Sequence, residues 1–102
     1  MREGRLVIYI SSDLDHHHAR GVREEIDHAI FLHRPTEVSL DFRGVSFMDS
    51  SALALILGRA ELGRELGIRI KLVGLTPAHK RLVRLGGIDR IGNILIAADT
   101  ED

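Results

Sequence analysis

The sequence predicts an α/β domain: a mixed, mostly parallel sheet of four to five strands, covered by helices, in the order β-α-β-α-β-α-β. Three observations carry this prediction. Short β-branched or aliphatic runs at 6–10, 38–42, 68–72 and 94–97 alternate with longer segments whose apolar residues recur every three or four positions. Helix punctuation stands between them, at Pro35, Gly67, Thr76-Pro77 and Gly86-Gly87. The only aromatic residues are three Phe and one Tyr, so Leu, Ile and Val must fill the space between layers. Strand–helix alternation of this kind favours parallel neighbours joined by right-handed crossovers.

Leu6 to Ile10 is an unbroken apolar run, the pattern of a strand buried on both faces. Ala19, Val22, Ile26, Ala29 and Ile30 form a helical stripe, which Pro35 terminates by pushing the residue before it out of the helical region. Val38, Leu40 and Phe42 alternate with Ser39 and Asp41, as a strand with one polar face would. A helix follows Asp49 and runs to about Leu66, with Gly67 as its stop. Ile68, Ile70 and Leu72 alternate with Arg69 and Lys71 in a third strand. Thr76 is suited to cap a helix whose first residue is Pro77. Ile94 to Ala97 is a last short strand, and the acidic tail from Asp99 lies beyond it.

A chain of 102 residues, 44% of them hydrophobic, is sized for a single domain spanning 1–102 with its own core. Without cysteine it has no disulfide or thiolate metal site, which suits a reducing cytoplasm. A net charge of −1, from 14 basic and 15 acidic residues, supplies no positive stripe for nucleic acid or an anionic membrane. No targeting segment is visible, and the longest apolar run, Ala52 to Leu57, is far short of the ~20 residues of a membrane span.

Catalytic signatures are sparse. The sequence holds no GxxxxGK[ST], GxGxxG or HExxH motif, and Gly44-Val45-Ser46-Phe47-Met48 lacks the second glycine of a nucleophile elbow. His16, His17 and His18 fall roughly 100° apart on a helix, so they diverge rather than meet at one metal ion. No metal site and no cofactor is expected. A hydrolase using Ser50 would require a histidine beside that hydroxyl, and no oxyanion loop is evident.

Asp49-Ser50-Ser51 is the polar corner of most interest. An aspartate or serine ahead of an apolar helix is ordinarily an N-cap. The reciprocal capping box is missing, because Leu53 stands three residues after Ser50. One cap oxygen leaves two of the three polar side chains unexplained. On the following helix, Leu53, Ile56, Leu57 and Ala60 form a stripe wide enough to pack on the sheet, and Leu55, Leu62 and Leu66 form another nearly opposite. Ala54 and Gly58 lie between them and leave the backbone open to close approach by another protein. A phosphate on a serine at this helix start would meet favourable backbone N–H groups and change the surface without unfolding the domain.

Phe47-Met48-Asp49-Ser50-Ser51 and Leu55-Ile56-Leu57-Gly58-Arg59 resemble the signature of bacterial anti-sigma factor antagonists of the STAS domain family. Asp13-Leu14-Asp15-His16-His17 and Pro77-Ala78-His79-Lys80-Arg81-Leu82 are similar to segments of the sporulation type within that family. The resemblance implies a switch rather than a catalyst. The unphosphorylated antagonist binds an anti-sigma factor that is a serine kinase, and so frees the sigma factor. The kinase phosphorylates the first serine after the aspartate, here Ser50, and a PP2C-like, metal-dependent serine phosphatase resets it. By the same resemblance Asp15 lies in a loop facing the kinase. Asp49 and Ser51 flank the acceptor, and Ala54 and Gly58 lie on the helix that the kinase covers. The chain departs from the family at Ser12, Ala52 and Ala54, where glycine is usual. Only five residues precede Leu6, so the family's additional first strand is expected to be very short or missing. An open edge there would permit weak dimerisation of an otherwise monomeric chain. A STAS module acting as an unphosphorylated scaffold or sensor is the alternative within the family.

Overall fold

Every neighbouring pair of strands runs parallel. The computed structural model describes residues 2–98, so the acidic tail from Asp99 lies outside the described residues. The elements are β1 (Arg5–Tyr9), α1 (Ala19–His33), β2 (Glu37–Asp41), α2 (Ser50–Leu66), β3 (Arg69–Val73), α3 (Pro77–Leu85), a 3₁₀ turn (Ile88–Arg90) and β4 (Ile94–Ile96). The sheet has four strands in the order β1-β2-β3-β4, with Leu6, Val38 and Ile70 in register across its first three.

That order sets where the core sits. Three crossovers that each step to the next strand in the same direction, with the usual right hand, leave all three helices on one side. Leu6, Val38, Leu40, Ile70, Leu72 and Ile94 point to that side and are buried. The other face is open. Val7 is 47% and Tyr9 75% exposed, flanked by Arg5, Ser39 and Lys71. The expectation that β1 is buried on both faces is therefore wrong, because no helix returns to cover its second face. The apolar run that suggested it has Tyr9 and Val7 in solvent.

The antiparallel element is short. Arg2 and Arg5 exchange both backbone hydrogen bonds, at 3.1 and 2.8 Å, around Glu3 and Gly4, whose φ values are +53° and +78°. Positive φ at both central residues is the geometry of a two-residue hairpin turn. Among the described residues the expected first strand amounts to this one pair, and the sheet proper is all parallel.

The helix boundaries follow their caps. α1 stops where Arg34 turns left-handed, its N–H bonded to the Ile30 carbonyl, just before Pro35. Thr76 Oγ1 accepts the His79 N–H at 3.1 Å with Pro77 as first helical residue, as expected. α2 ends at Gly67, in the left-handed region. One turn earlier, a Cβ on Gly63 would stand 2.9 Å from the Ile68 carbonyl oxygen and 3.1 Å from Asn93 Nδ2. Asn93 Nδ2 itself donates to the Ala60 and Ile68 carbonyls. Glycine at 63 thus lets the end of α2 close onto the strand that follows it.

α2 is oriented differently from the expectation. Its buried residues are Ala52, Leu55, Ile56, Arg59, Ala60 and Gly63, whereas Leu57 and Leu66 are exposed. Both of its apolar stripes look alike in sequence. The close seat at Gly63 and the Arg59 side chain, whose Nε lies 2.9 Å from Asp27 Oδ1 on α1, turn Leu55 rather than Leu57 inward.

Two glycines of one helix should therefore respond oppositely to the same methyl. Gly63→Ala is expected to destabilise by about 1–3 kcal/mol through overpacking against fixed backbone. Gly58→Ala, with open space around its position, is expected to be neutral or to stabilise by up to about 1 kcal/mol. Urea unfolding of the two variants checks both.

Candidate functional site

In parallel α/β sheets the loops beyond the carboxyl ends of the strands gather at one end of the molecule. Here β1 and β2 are neighbours, so the loops carrying Asp13–Asp15 and Ser46–Asp49 meet. Leu14 joins them. Its N–H donates to the Phe47 carbonyl at 2.9 Å, and its carbonyl accepts the Asp49 N–H at 3.2 Å. Asp13 Oδ1 accepts the Phe47 N–H at 3.2 Å, and the Leu14 side chain is wholly buried. The two loops thus pair as a short parallel bridge, and Asp49 enters α2 from a fixed position.

Asp49 is the N-cap. Its backbone is extended and its Oδ1 accepts the Ser51 N–H at 2.8 Å. Of the aspartate and serines that the sequence offers for this cap, the aspartate takes it. Ser50 is the first helical residue, is exposed, and its hydroxyl makes no hydrogen bond among the described residues. In particular, among the described residues no histidine is hydrogen-bonded to it. Ser51 is half-buried and faces the groove between α2 and α1.

Asp15 begins the turn that leads into α1. One carboxylate oxygen, Oδ1, accepts the His18 N–H at 2.9 Å and lies 2.7 Å from His18 Nδ1. These two hydrogen bonds hold the Asp15 carboxyl below the usual carboxylate range. Because the shift is downward, whatever stability the pair adds is present above the ordinary carboxylate pKa and is lost as pH falls through the depressed value. His16 and His17 are exposed, and among the described residues no cluster of histidine and acidic side chains could hold a metal ion.

The site residues named from the sequence fall on one surface. Asp15 and Asp49 lie on the paired loops, and Ser50, Ser51, Ala54 and Gly58 follow along α2. Ala54 is exposed and a Cβ on Gly58 would meet nothing within 4 Å, so this face of the helix is open. Phe47, 51% exposed, and Leu57, 40% exposed, add apolar surface around it. Both carboxylates, by contrast, are engaged locally, Asp49 in the cap of α2 and Asp15 in the turn ahead of α1. Sequence reasoning missed Leu14 and Asp13 as the join between loops, and Arg20, Arg23 and Asp27 on α1 beside Ser51 and Arg59. The three-residue spacing of Arg20 and Arg23 was a visible signal for a basic helix face, whereas nothing local marks Asp27 as the partner of Arg59.

A small domain with a capped, exposed serine at a helix start beside an open small-residue face has the form of a regulated binding module. The STAS domain description matches residues 1–102, and the chain belongs to the STAS domain family. It is similar to an anti-sigma F factor antagonist of Paenibacillus polymyxa, with 34% identity over 88 residues covering 86% of this chain and 75% of that protein. The unphosphorylated form of the anti-sigma factor antagonist SpoIIAA superposes with a TM-score of 0.75 at 30% identity, over 95% of this chain and 83% of that one. The phosphorylated form of SpoIIAA, a Bacillus cell fate determinant, gives a TM-score of 0.70 at 29% identity, over 99% and 89%.

Two measurements check the local assignments. Asp49→Ala should cost ~1 kcal/mol of stability, the usual value of a helix cap, whereas Ser50→Ala should change it by less than about 0.5 kcal/mol. His18→Ala should raise the Asp15 carboxyl toward the ordinary value, followed by carboxyl-carbon NMR across acidic pH.

Proposed function

We propose that this chain is an anti-sigma factor antagonist switched at Ser50. Unphosphorylated, it binds a serine-kinase anti-sigma factor through α2 and the paired loops, and the sigma factor is released. The kinase transfers the γ-phosphoryl group of ATP to Ser50 Oγ, ADP leaves, and the hydroxyl proton passes to a base supplied by the kinase. A PP2C-like serine phosphatase hydrolyses the ester and restores the binding form. The chain contributes the acceptor and the docking surface, and it works in the cytoplasm. Among the described residues no helix is long and apolar enough to cross a membrane.

The observation that carries this reading is the division of labour between Asp49 and Ser50. Asp49 supplies the cap, and the neighbouring hydroxyl is exposed and bonded to nothing among the described residues. A nucleophile presented in this way can enter a foreign active site without disturbing the fold. Once phosphorylated, it carries about −1.5 to −2 charge at the first turn of a helix, where backbone N–H groups tolerate an anion. The helix survives, and a partner that fitted the neutral surface now meets a dianion beside Asp49. Similarity to SpoIIAA in both its unphosphorylated and phosphorylated forms supports the same reading.

Incubation with ATP and the cognate serine-kinase anti-sigma factor, followed by intact mass, should add one phosphate to the wild type and none to Ser50→Ala. Ser50→Asp should bind that kinase at least about ten-fold more weakly than wild type. A phosphate on Ser50→Ala, or equal binding by Ser50→Asp, would contradict the assignment.

A further inference from the structure

Between α1 and α2, opening beside Ser51, lies a groove of about 270 Å³ lined by His16, Ala19, Arg20, Arg23, Ser51 and Ala54. Its walls are unlike the rest of this nearly neutral chain. Arg20 and Arg23 stand three residues apart on one face of α1, and His16 adds an imidazole at the mouth. Arg20 reaches Glu24 at 3.4 Å, but both side chains are largely in solvent, where such a pair is weak and easily exchanged. Arg23 makes no ion pair or hydrogen bond among the described residues. Its charge is felt by Arg59, whose pKa is pushed down by burial, partly restored by Asp27 and lowered further by Arg23. Asp27 forms an ion pair with Arg59, Oδ1 to Nε at 2.9 Å, so this carboxylate is committed to Arg59 and not to Arg23. Arg59 Nη1 is buried with no hydrogen-bond partner. Ala19 and Ala54 keep the floor low enough for a side chain to enter between the arginines.

We propose that this groove receives an acidic segment of the partner protein, with carboxylates of Asp or Glu placed against Arg20 and Arg23. Arginine suits the task because its planar fork takes a carboxylate through two parallel hydrogen bonds. The segment supplies Arg23 with the carboxylate partner that no side chain among the described residues gives it. The groove is continuous with Ser51 and Ala54, so an acidic segment lodged there holds the partner in register over the adjacent Ser50. This inference rests on the docking surface proposed above, and it adds the charge of what docks.

The test has two arms. In the first, a capped hexaglutamate peptide is titrated into the ¹⁵N-labelled chain, with a hexathymidylate oligonucleotide for comparison. The expected amide shifts cluster at His16, Ala19, Arg23, Ser51 and Ala54, and disappear in Arg20→Glu/Arg23→Glu but not in Arg84→Glu, an exposed charge reversal on α3. Shifts that are absent or scattered, or stronger with the oligonucleotide, overturn the proposal. In the second arm, the double variant should bind the serine-kinase anti-sigma factor at least about ten-fold more weakly, with a slower association and less dependence on salt. Binding of the double variant equal to wild type would overturn the groove and leave Ser50 as the switch. A wild type that binds the peptide but not the kinase would sink the kinase reading and leave the groove standing. Thermal unfolding of the double variant matching wild type excludes misfolding as the cause of any loss.

Discussion

The functional corner depends on Leu14. Its side chain is wholly buried, and its two backbone groups tie the loop after β1 to the loop before α2. A buried leucine contributes roughly 1.5–3 kcal/mol of hydrophobic stabilisation. That burial anchors a segment that would otherwise be free to move, and the two main-chain bonds transmit the anchor to Asp49. From Asp49 the order runs on: its backbone is held by Leu14, its carboxylate caps Ser51, and Ser50 is left outward and unoccupied. The exposed serine is thus placed by a neighbour that never touches it. Gly44 assists, since a Cβ there would stand 3.0 Å from the Ile10 carbonyl oxygen and push the two loops apart.

The same arrangement explains how a surface can be switched without altering the fold. Cap, loop bridge and helix packing all lie on the inner side of the corner, and the hydroxyl lies on the outer side. Charge added to the outer side meets the first-turn N–H groups, which favour anions. The open strip of Ala54 and Gly58 beside it keeps its shape whatever Ser50 carries. On the far side of α2 the Arg59–Asp27 contact and the seat at Gly63 fix the rotation of the helix, so the face shown to a partner is set by buried groups.

Much of the fold was legible because it is written in local chemistry. β-branched runs, Pro35, Gly67 and the Thr76-Pro77 cap placed each strand and the three helices to within a residue or two. The 3₁₀ turn at Ile88–Arg90 was not foreseen, being too short to have a period. What the sequence hid was orientation. α2 has two comparable apolar stripes, and only a close approach at Gly63 and an ion contact with a residue 32 positions earlier choose between them. β1 looked buried on both sides because apolar content says nothing of which side the helices take, and Tyr9 stands in solvent. The resemblance around Asp49-Ser50-Ser51 directed attention to this corner as the candidate site. It could not show which of three adjacent polar residues takes the cap, a choice the local sequence leaves open, nor that Leu14 holds Asp49, which depends on contacts between segments more than thirty residues apart.

The central claim is that modification of Ser50 changes the surface and leaves the corner intact. It is tested most directly by native-state hydrogen exchange at the amides of Leu14, Asp49 and Ser51, with phosphoserine installed at 50 during translation. The account predicts protection at these three amides equal to that of the unmodified chain. Loss of protection there, with the remaining sheet amides unchanged, would show that phosphorylation acts by undoing the Leu14 bridge and the cap, and would contradict it.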